Sequence, residues 1–176
     1  MDGIIELTGK INSDLTEKFP FKYFRGDRYI MVVYEYDINS ILAESMKNCE
    51  VKYFSNSYKK LYNILSTKVL KPRFQKLYNE ASNILIESLQ DENIDFQLVP
   101  TNMHRRNASG WAIRKFKNHF TAILCSINPD IPLKFWDRLL YQETTNLNLM
   151  RKSIINTNLS THEQLFGVFN FNSTPF

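Results

Sequence analysis

Clustered and alternating apolar residues in the first part of the chain predict β-strands. The clearest run covers residues 28–36 and is rich in β-branched and aromatic side chains. Residues 37–39 predict a tight turn, and residues 40–46 predict the antiparallel partner strand. With a first strand over residues 4–14, the pattern predicts a three-stranded meander.

Apolar residues three or four positions apart predict helices in the rest of the chain. After the meander the predicted order is a helix over 47–71, a strand over 73–78, a helix over 79–91, a strand over 94–99, a long helix within the stretch 100–127 and a helix over 133–149. Pro72 ends the first of these helices, because proline disfavours helical geometry in the residue before it. Such alternation predicts a mixed sheet covered by helices. The Asn/Ser/Thr-rich residues 151–176 predict extended or turn-like structure.

Residues 100–127 predict a turn, a basic patch and then an amphipathic helix. Its apolar residues recur at helical steps and should be buried: Ile113, Phe116, Phe120, Ile123, Leu124 and Ile127. No Asp or Glu lies between Phe96 and Pro129, whereas five fixed positive charges do: Arg105, Arg106, Arg114, Lys115 and Lys117. A nearby phosphate chain would meet an unscreened positive field. The alternative interpretation is the solvated face of a core helix.

Composition limits the class of protein. The 176 residues, 43% of them hydrophobic, suit one globular domain, and the 13 Phe and 9 Tyr argue against disorder. A net charge of +4 permits nucleic-acid partners. Cys49 and Cys125 form no motif, so we expect reduced core residues, and no zinc-ligand spacing occurs. Without a signal peptide or membrane-length apolar run, we expect an intracellular protein, nuclear or cytoplasmic, with no membrane partner.

Particular strings carry a family resemblance. The order of elements matches the ribonuclease H-like fold. SDLTEKFP at 13–20, RGDRYIMVVYEYDINSILAESMKN at 25–48, LYNEAS at 77–82 and, most specifically, HRRNASGWAIRKFKNHF at 104–120 resemble the integrase core of copia- and gypsy-like LTR retroelements. The resemblance implies an α/β fold with a five-stranded mixed sheet flanked by α-helices. It implies an integrase-core-like domain over 1–150 and a C-terminal extension over 151–176.

The family resemblance also implies a site. Integrases of this family join DNA ends with Mg²⁺ ions held by carboxylates. The family pattern places an Asp on the first strand, an Asp at the end of the fourth strand and a Glu at the start of the long helix. These positions fall on Asp14, Tyr78 and Gly110, and the separation 110 − 78 = 32 residues suits the lineage. Two of three carboxylates are therefore replaced.

One remaining carboxylate should not hold Mg²⁺ productively, so we expect catalysis to be lost. Without the resemblance, Asp14 would be interpreted as an exposed turn or helix-cap carboxylate. Glu80 could replace the ligand at Tyr78 only by reaching back from the first turn of a helix. Trp111 stands where the family has a basic residue; it could stack on a base, but packing is the expected role.

Two functional hypotheses follow from the sequence. In the first, the chain is a degenerate or domesticated integrase core that binds DNA through its five basic residues, with a homodimer possible and no small-molecule substrate. In the second, the ribonuclease H-like domain is a protein-interaction module. Its contact surface would then be the aromatic segment 16–24 or the tail.

Overall fold

A five-stranded sheet forms the centre of the protein. The structure, a computed structural model, describes residues 8–16, 18, 26–67, 71–78, 86, 89–90, 94–99, 108–128, 130, 132 and 135–172. The strands are β1 (Lys10–Leu15), β2 (Tyr29–Glu35), β3 (Ser40–Met46), β4 (Phe74–Tyr78) and β5 (Asp95–Val99). The helices are α1 (Val51–Thr67), α2 (Ala108–Ser126), α3 (Trp136–Met150) and α4 (Thr161–Phe166).

The strand order is β3-β2-β1-β4-β5, with β1 in the middle. The pairs β1–β2 and β2–β3 are antiparallel, whereas β1–β4 and β4–β5 are parallel. Parallel neighbours need a crossover connection, and α1 lies in the connection from β3 to β4. The predicted fold class is confirmed: a mixed five-stranded sheet flanked by helices.

Helices cover both sides of the sheet and create two hydrophobic clusters. We call the side covered by α1 the α1 face; its cluster includes Met31, Val33 and Leu61. We call the side covered by α2 and α3 the α2 face; its cluster includes Phe116 and Trp136. Strand β2 is buried on both sides, which explains why it reads as an almost continuous apolar run instead of an alternating one.

Several expectations about individual elements need correction. The apolar stripe of α2 is fully buried only at Ile113, Phe116 and Phe120, while Ile123, Leu124 and Ile127 are partly exposed. Both cysteines are free and exposed, so their assignment to the core is wrong. Most of the helix predicted over 79–91 lies outside the described residues, as does the start of the strand predicted over 4–14.

The C-terminal segment is more ordered than its composition indicated. Residues 161–166 form α4, where an extended or turn-like tail was expected. Ser160 and Glu163 form a capping box: each side chain accepts a hydrogen bond from the backbone N–H of the other residue. Leu165 is buried within the cluster of the α1 face. The division of the chain at residue 150 remains a prediction.

The same segment is bonded to the turn between β2 and β3. The amide of Asn39 donates to the backbone carbonyl of Lys152 at 3.0 Å, and the hydroxyl of Thr161 donates to the carbonyl of Ile38 at 3.2 Å. Asn39 has a φ of 70°, a left-handed conformation that Asn tolerates better than most residues. Among the described residues, no helix has the length and apolar character needed to cross a membrane.

Candidate functional site

Asp14 lies within the central strand, at the end that faces α2. It pairs with Val32 of β2, so it is neither a turn residue nor a helix cap, the role expected without the family resemblance. Its side chain is about one-third exposed. One carboxylate oxygen, Oδ1, accepts a hydrogen bond from the N–H of Leu15 at 2.9 Å. The other, Oδ2, is directed toward Lys117 of α2.

Tyr78 lies on β4, the parallel neighbour of the strand that carries Asp14. Strands β1 and β4 are parallel neighbours, with Asn12 opposite Lys76. This is the last pair between the two strands, and Asp14 and Tyr78 each lie two residues beyond it in the same direction. Tyr78 is the last residue of β4 and pairs with Val99. The two strand positions assigned to carboxylates by the resemblance therefore lie toward the same end of two neighbouring parallel strands.

Gly110 lies in the first turn of α2, on the same side of the helix as Lys117. Seven residues are almost two helical turns, so the two positions share a face and lie about 10 Å apart along the axis. Lys117 contacts β1 directly, which orients this side of α2 toward the end of the central strand. The three triad positions thus lie on β1 and on the two elements that contact it here, β4 and α2.

Asp14 and Lys117 form an ion pair between β1 and α2. The ammonium Nζ of Lys117 lies 3.7 Å from Oδ2 of Asp14 and donates a hydrogen bond to the carbonyl of Leu15 at 3.2 Å. Both side chains are about one-third exposed. Lys117 was expected to be one of five fixed positive charges available to a phosphate chain. Its ammonium group instead lies next to a carboxylate of its own chain.

Of the three triad positions, only Asp14 carries a carboxylate, whereas a pair of divalent metal ions is normally held by several. Within the part of the chain that the structure describes, no three His, Cys, Asp or Glu side chains converge to form a metal site. A Mg²⁺ bound to Asp14 at about 2.1 Å would lie within about 6 Å of the Lys117 ammonium. Their repulsion would cost roughly 1 to 6 kcal/mol for effective dielectric constants between about 80 and 20. Glu80, the alternative ligand, lies outside the described residues.

The solvent side of α2 carries the basic surface. Arg114 and Lys115 are exposed, whereas Arg105 and Arg106 lie outside the described residues. Trp111 is 55% exposed, so the expectation that its ring packs into the protein is wrong. The ammonium of Lys115 lies 4.1 Å from the centroid of the Trp111 ring, and the guanidinium of Arg151 lies 6.0 Å from it. These are cation–π distances.

Arg151 extends this surface from a different part of the chain, and the sequence analysis did not single it out. Its Nε donates to the carbonyl of Asn39 at 2.8 Å, and its Nη2 donates to the side-chain oxygen of Asn39. The guanidinium also lies 5.7 Å from the ring of Tyr34. Burial lowers the pKa of Arg151, and the neighbouring Tyr34 acts in the opposite direction. Only the basic pair at 151–152, directly after a helix, could have indicated this residue.

Glu143 is a second charged group that the sequence analysis missed. It is buried on α3, and its Oε1 lies 3.9 Å from Nδ1 of His119 on α2. Burial raises the pKa of Glu143 to about 7. Glutamate is rarely buried without a close partner, but position 143 is three residues after Leu140 and four before Leu147, so the helical pattern of 133–149 places it on the apolar side of the helix. Its burial depends on how α2 and α3 pack.

Comparison with known proteins shows the fold. No protein-family model matches the chain, and no curated protein matches it. Among solved structures, a chain of the simian T-cell lymphotropic virus intasome, determined by cryo-electron microscopy in complex with PP2A regulatory subunit B56 gamma, matches with a TM-score of 0.65 at 17% identity. The fold is integrase-like. The match covers 95% of the present chain but only 57% of the intasome chain.

Proposed function

We propose that this chain is an integrase-core-like protein of LTR-retroelement descent, of the copia/gypsy kind, that binds DNA and no longer catalyses metal-dependent phosphoryl transfer. The observation that supports it best is the junction of β1, β4 and α2. There the carboxylate of Asp14 is paired with an ammonium group, and the neighbouring parallel strand ends at Tyr78. The protein would act in the nucleus or cytoplasm, on nucleic acid and not on a small molecule.

DNA binding is supported by the charge distribution on α2. Arg114 and Lys115 project into solvent, and no described carboxylate of this helix opposes them, because α2 contains no Asp or Glu. Phosphate contacts of this kind release counterions, so the affinity should fall steeply with salt concentration. A surface that binds only proteins would not show that dependence.

The binding proposal is tested by measuring duplex DNA affinity over a range of salt concentrations. Changing Arg105, Arg106, Arg114, Lys115 and Lys117 together to Gln should weaken binding and flatten the salt dependence, without loss of fold. The smaller variant Arg114→Gln/Lys115→Gln should lower the slope of log affinity against log salt by about 2.

A matched control is available on the other side of the sheet. Lys52 and Lys59 of α1 are also exposed lysines on a helix, and the variant Lys52→Gln/Lys59→Gln removes the same charge. It should leave DNA affinity almost unchanged. Equal losses in the two double variants would mean that net charge, and not the α2 surface, drives the binding.

The catalytic proposal is tested by assaying strand transfer and DNA end processing with Mg²⁺ or Mn²⁺. The unmodified chain should be inactive, because each absent carboxylate would have neutralised and positioned a metal ion. Only the combined change Tyr78→Asp/Gly110→Glu should restore measurable activity, since the ligands act as a unit. Metal-dependent joining by the unmodified chain, abolished by Asp14→Asn, would contradict the proposal.

A protein-interaction module is the second candidate, and one observation favours it. Near the C-terminus three apolar side chains are exposed: Phe166 at 43%, Val168 at 88% and Phe171 at 65%. Exposed apolar groups close in sequence are typical of interaction surfaces. The aromatic segment 16–24 lies largely outside the described residues. Partner binding that persists at high salt, with no DNA binding, would favour this candidate.

A further inference from the structure

We propose that Asp14 is an internal competitor for phosphate, and that Lys117 is a phosphate-binding residue in competition with that carboxylate. The proposal rests on the proposed DNA-binding function and specifies how the former metal site takes part in it. In a metal-dependent site, a carboxylate aids binding of the phosphate chain by holding cations. Here the same carboxylate should weaken DNA binding, because it pairs with the ammonium group of Lys117 that would otherwise bind phosphate.

The contact distances indicate that the pair can exchange partners. Nζ of Lys117 lies 3.7 Å from Asp14 Oδ2, beyond ordinary hydrogen-bond length, whereas its bond to the carbonyl of Leu15 is 3.2 Å. The carbonyl therefore holds the ammonium at the end of β1, and the carboxylate contributes a looser electrostatic contact. An ammonium has three protons, so a phosphate oxygen can bind while the bond to Leu15 is kept.

Exposure makes the exchange possible for a large ligand. The side chains of Lys117 and Asp14 are 37% and 36% exposed, so a ligand in solvent can reach both members of the pair. Exposed ion pairs of this kind contribute little net free energy, and a polyanion can outcompete one carboxylate. The exposed Arg114 is one helical turn before Lys117, so a phosphate chain that follows α2 would reach the ammonium.

The experiment is a double-mutant cycle on duplex DNA affinity at low salt, in EDTA. Asp14→Asn should tighten binding roughly two- to fivefold, the range expected for releasing an exposed ion pair. Lys117→Gln should weaken binding. In the Lys117→Gln background, Asp14→Asn should have a clearly smaller effect. Weaker binding by Asp14→Asn, or an equal gain in both backgrounds, would overturn the proposal.

Glu44→Gln is the matched control for the change in charge. Glu44 is a partly exposed strand carboxylate paired with Lys60 of α1, at 2.5 Å, on the α1 face. Its removal raises the net charge by the same amount but should leave DNA affinity unchanged. A gain equal to that of Asp14→Asn would mean that total charge explains the effect, and would overturn the specific role of Lys117.

Two further measurements separate this proposal from the proposed function. If neither the chain nor its variants bind DNA, the proposed function fails, and inorganic pyrophosphate becomes the probe for Lys117. Pyrophosphate should shift the backbone NMR signals of Leu15 and Lys117 in Asp14→Asn at lower concentration than in the unmodified chain; equal shifts would overturn the proposal. Mn²⁺ should not broaden the Asp14 signal, and selective broadening there would mean that a metal, not Lys117, neutralises the carboxylate.

Discussion

The two faces of the sheet differ in how their polar groups are arranged. On the α1 face, Tyr58 donates to the side-chain oxygen of Gln75 at 3.3 Å, and the Gln75 amide donates to the hydroxyl of Ser13 at 2.9 Å. All three groups are neutral, buried and hydrogen-bonded. On the α2 face two pairs of ionisable groups lie near each other without a close contact: Asp14 with Lys117 at 3.7 Å, and Glu143 with His119 at 3.9 Å, a pair that is oppositely charged only when the imidazole is protonated.

This difference distinguishes a structural face from a candidate binding face. A closed neutral network stabilises one arrangement and leaves no group free to meet a ligand. Loosely paired charges contribute less to stability but can exchange partners with an incoming anion. The five strands are shared by both faces, so the functional difference comes from the side chains that α1 and α2 bring to them.

The largest expected effect on the free energy of unfolding concerns the hydrogen bonds that attach α3 to the sheet on the α2 face. Asn148 of α3 accepts a hydrogen bond from the N–H of Ile41 at 3.0 Å and donates to its carbonyl at 2.7 Å, and so satisfies the free edge of β3. Asn148→Ala should lower the free energy of unfolding by about 2 to 4 kcal/mol, because it leaves two buried backbone groups unpaired. Denaturant unfolding measures the change.

Two controls define the comparison. Asn146→Ala, on the same helix but only partly buried, should cost less than about 1 kcal/mol. Tyr58→Phe, which removes one side-chain bond from the α1 face, should cost about 1 kcal/mol. An equal or smaller loss of stability for Asn148→Ala than for Tyr58→Phe would contradict this prediction. The hydrogen bonds of Asn148 to the backbone of β3 would then not be what attaches α3 to the sheet.

Substitution of two buried glutamates should change the stability by an intermediate amount. The two side chains have similarly raised pKa values but different hydrogen-bond partners. Burial raises the pKa of both Glu35 and Glu143 to about 7. Glu35 accepts backbone hydrogen bonds from Asp37 at 2.8 Å and from Ile38 at 2.7 Å. Oε1 of Glu143 accepts no hydrogen bond from the described residues and lies 3.9 Å from Nδ1 of His119.

The sign of the pH dependence follows from the raised pKa values. Between the ordinary glutamate value of 4.5 and about 7, the folded protein binds more protons than the unfolded chain. The stabilisation is therefore complete below pH 4.5 and is lost as the pH rises through about 7. Each group contributes a slope on the order of 1 kcal/mol per pH unit within that window.

Substitution by Gln should separate the two glutamates at pH 8. Glu143→Gln should raise the free energy of unfolding by about 1 kcal/mol and reduce its pH dependence, because a buried charge is removed. Glu35→Gln should lower it by roughly 1 to 3 kcal/mol, because an amide cannot accept both backbone hydrogen bonds. Changes of the same sign in both variants would contradict the assigned difference in bonding.

The smallest effect concerns the C-terminal segment at the edge of the α1 face. Ser160→Ala removes the capping box of α4 and should lower the free energy of unfolding by about 1 kcal/mol. Thr157→Ala, in an exposed turn of the same segment, is the matched control and should have almost no effect. If the two variants were equally stable, α4 would not contribute to the stability of the folded domain.

Local pattern was sufficient for much of the fold. The prediction for β3 matches the structure at both ends, and that for β2 differs by one residue at each end. Their β-branched and aromatic residues suit a sheet regardless of what packs on it. The six-residue helix α4 was missed although Ser160 and Glu163 have capping-box spacing. So short a helix is not stable alone, and the burial of Leu165 stabilises it.

The sequence by itself determined the order of the five strands and of α1, α2 and α3 among them, the buried positions Ile113, Phe116 and Phe120 of α2 and the positive charge of its exposed side. These properties depend on neighbours within a few residues along the chain. Only the tertiary structure decided that the strands of Asp14 and Tyr78 are parallel neighbours, that Lys117 pairs with Asp14 and that Glu143 lies beside His119. Each of these depends on contacts between distant segments, because strand pairing and helix docking bring together residues that no local periodicity relates.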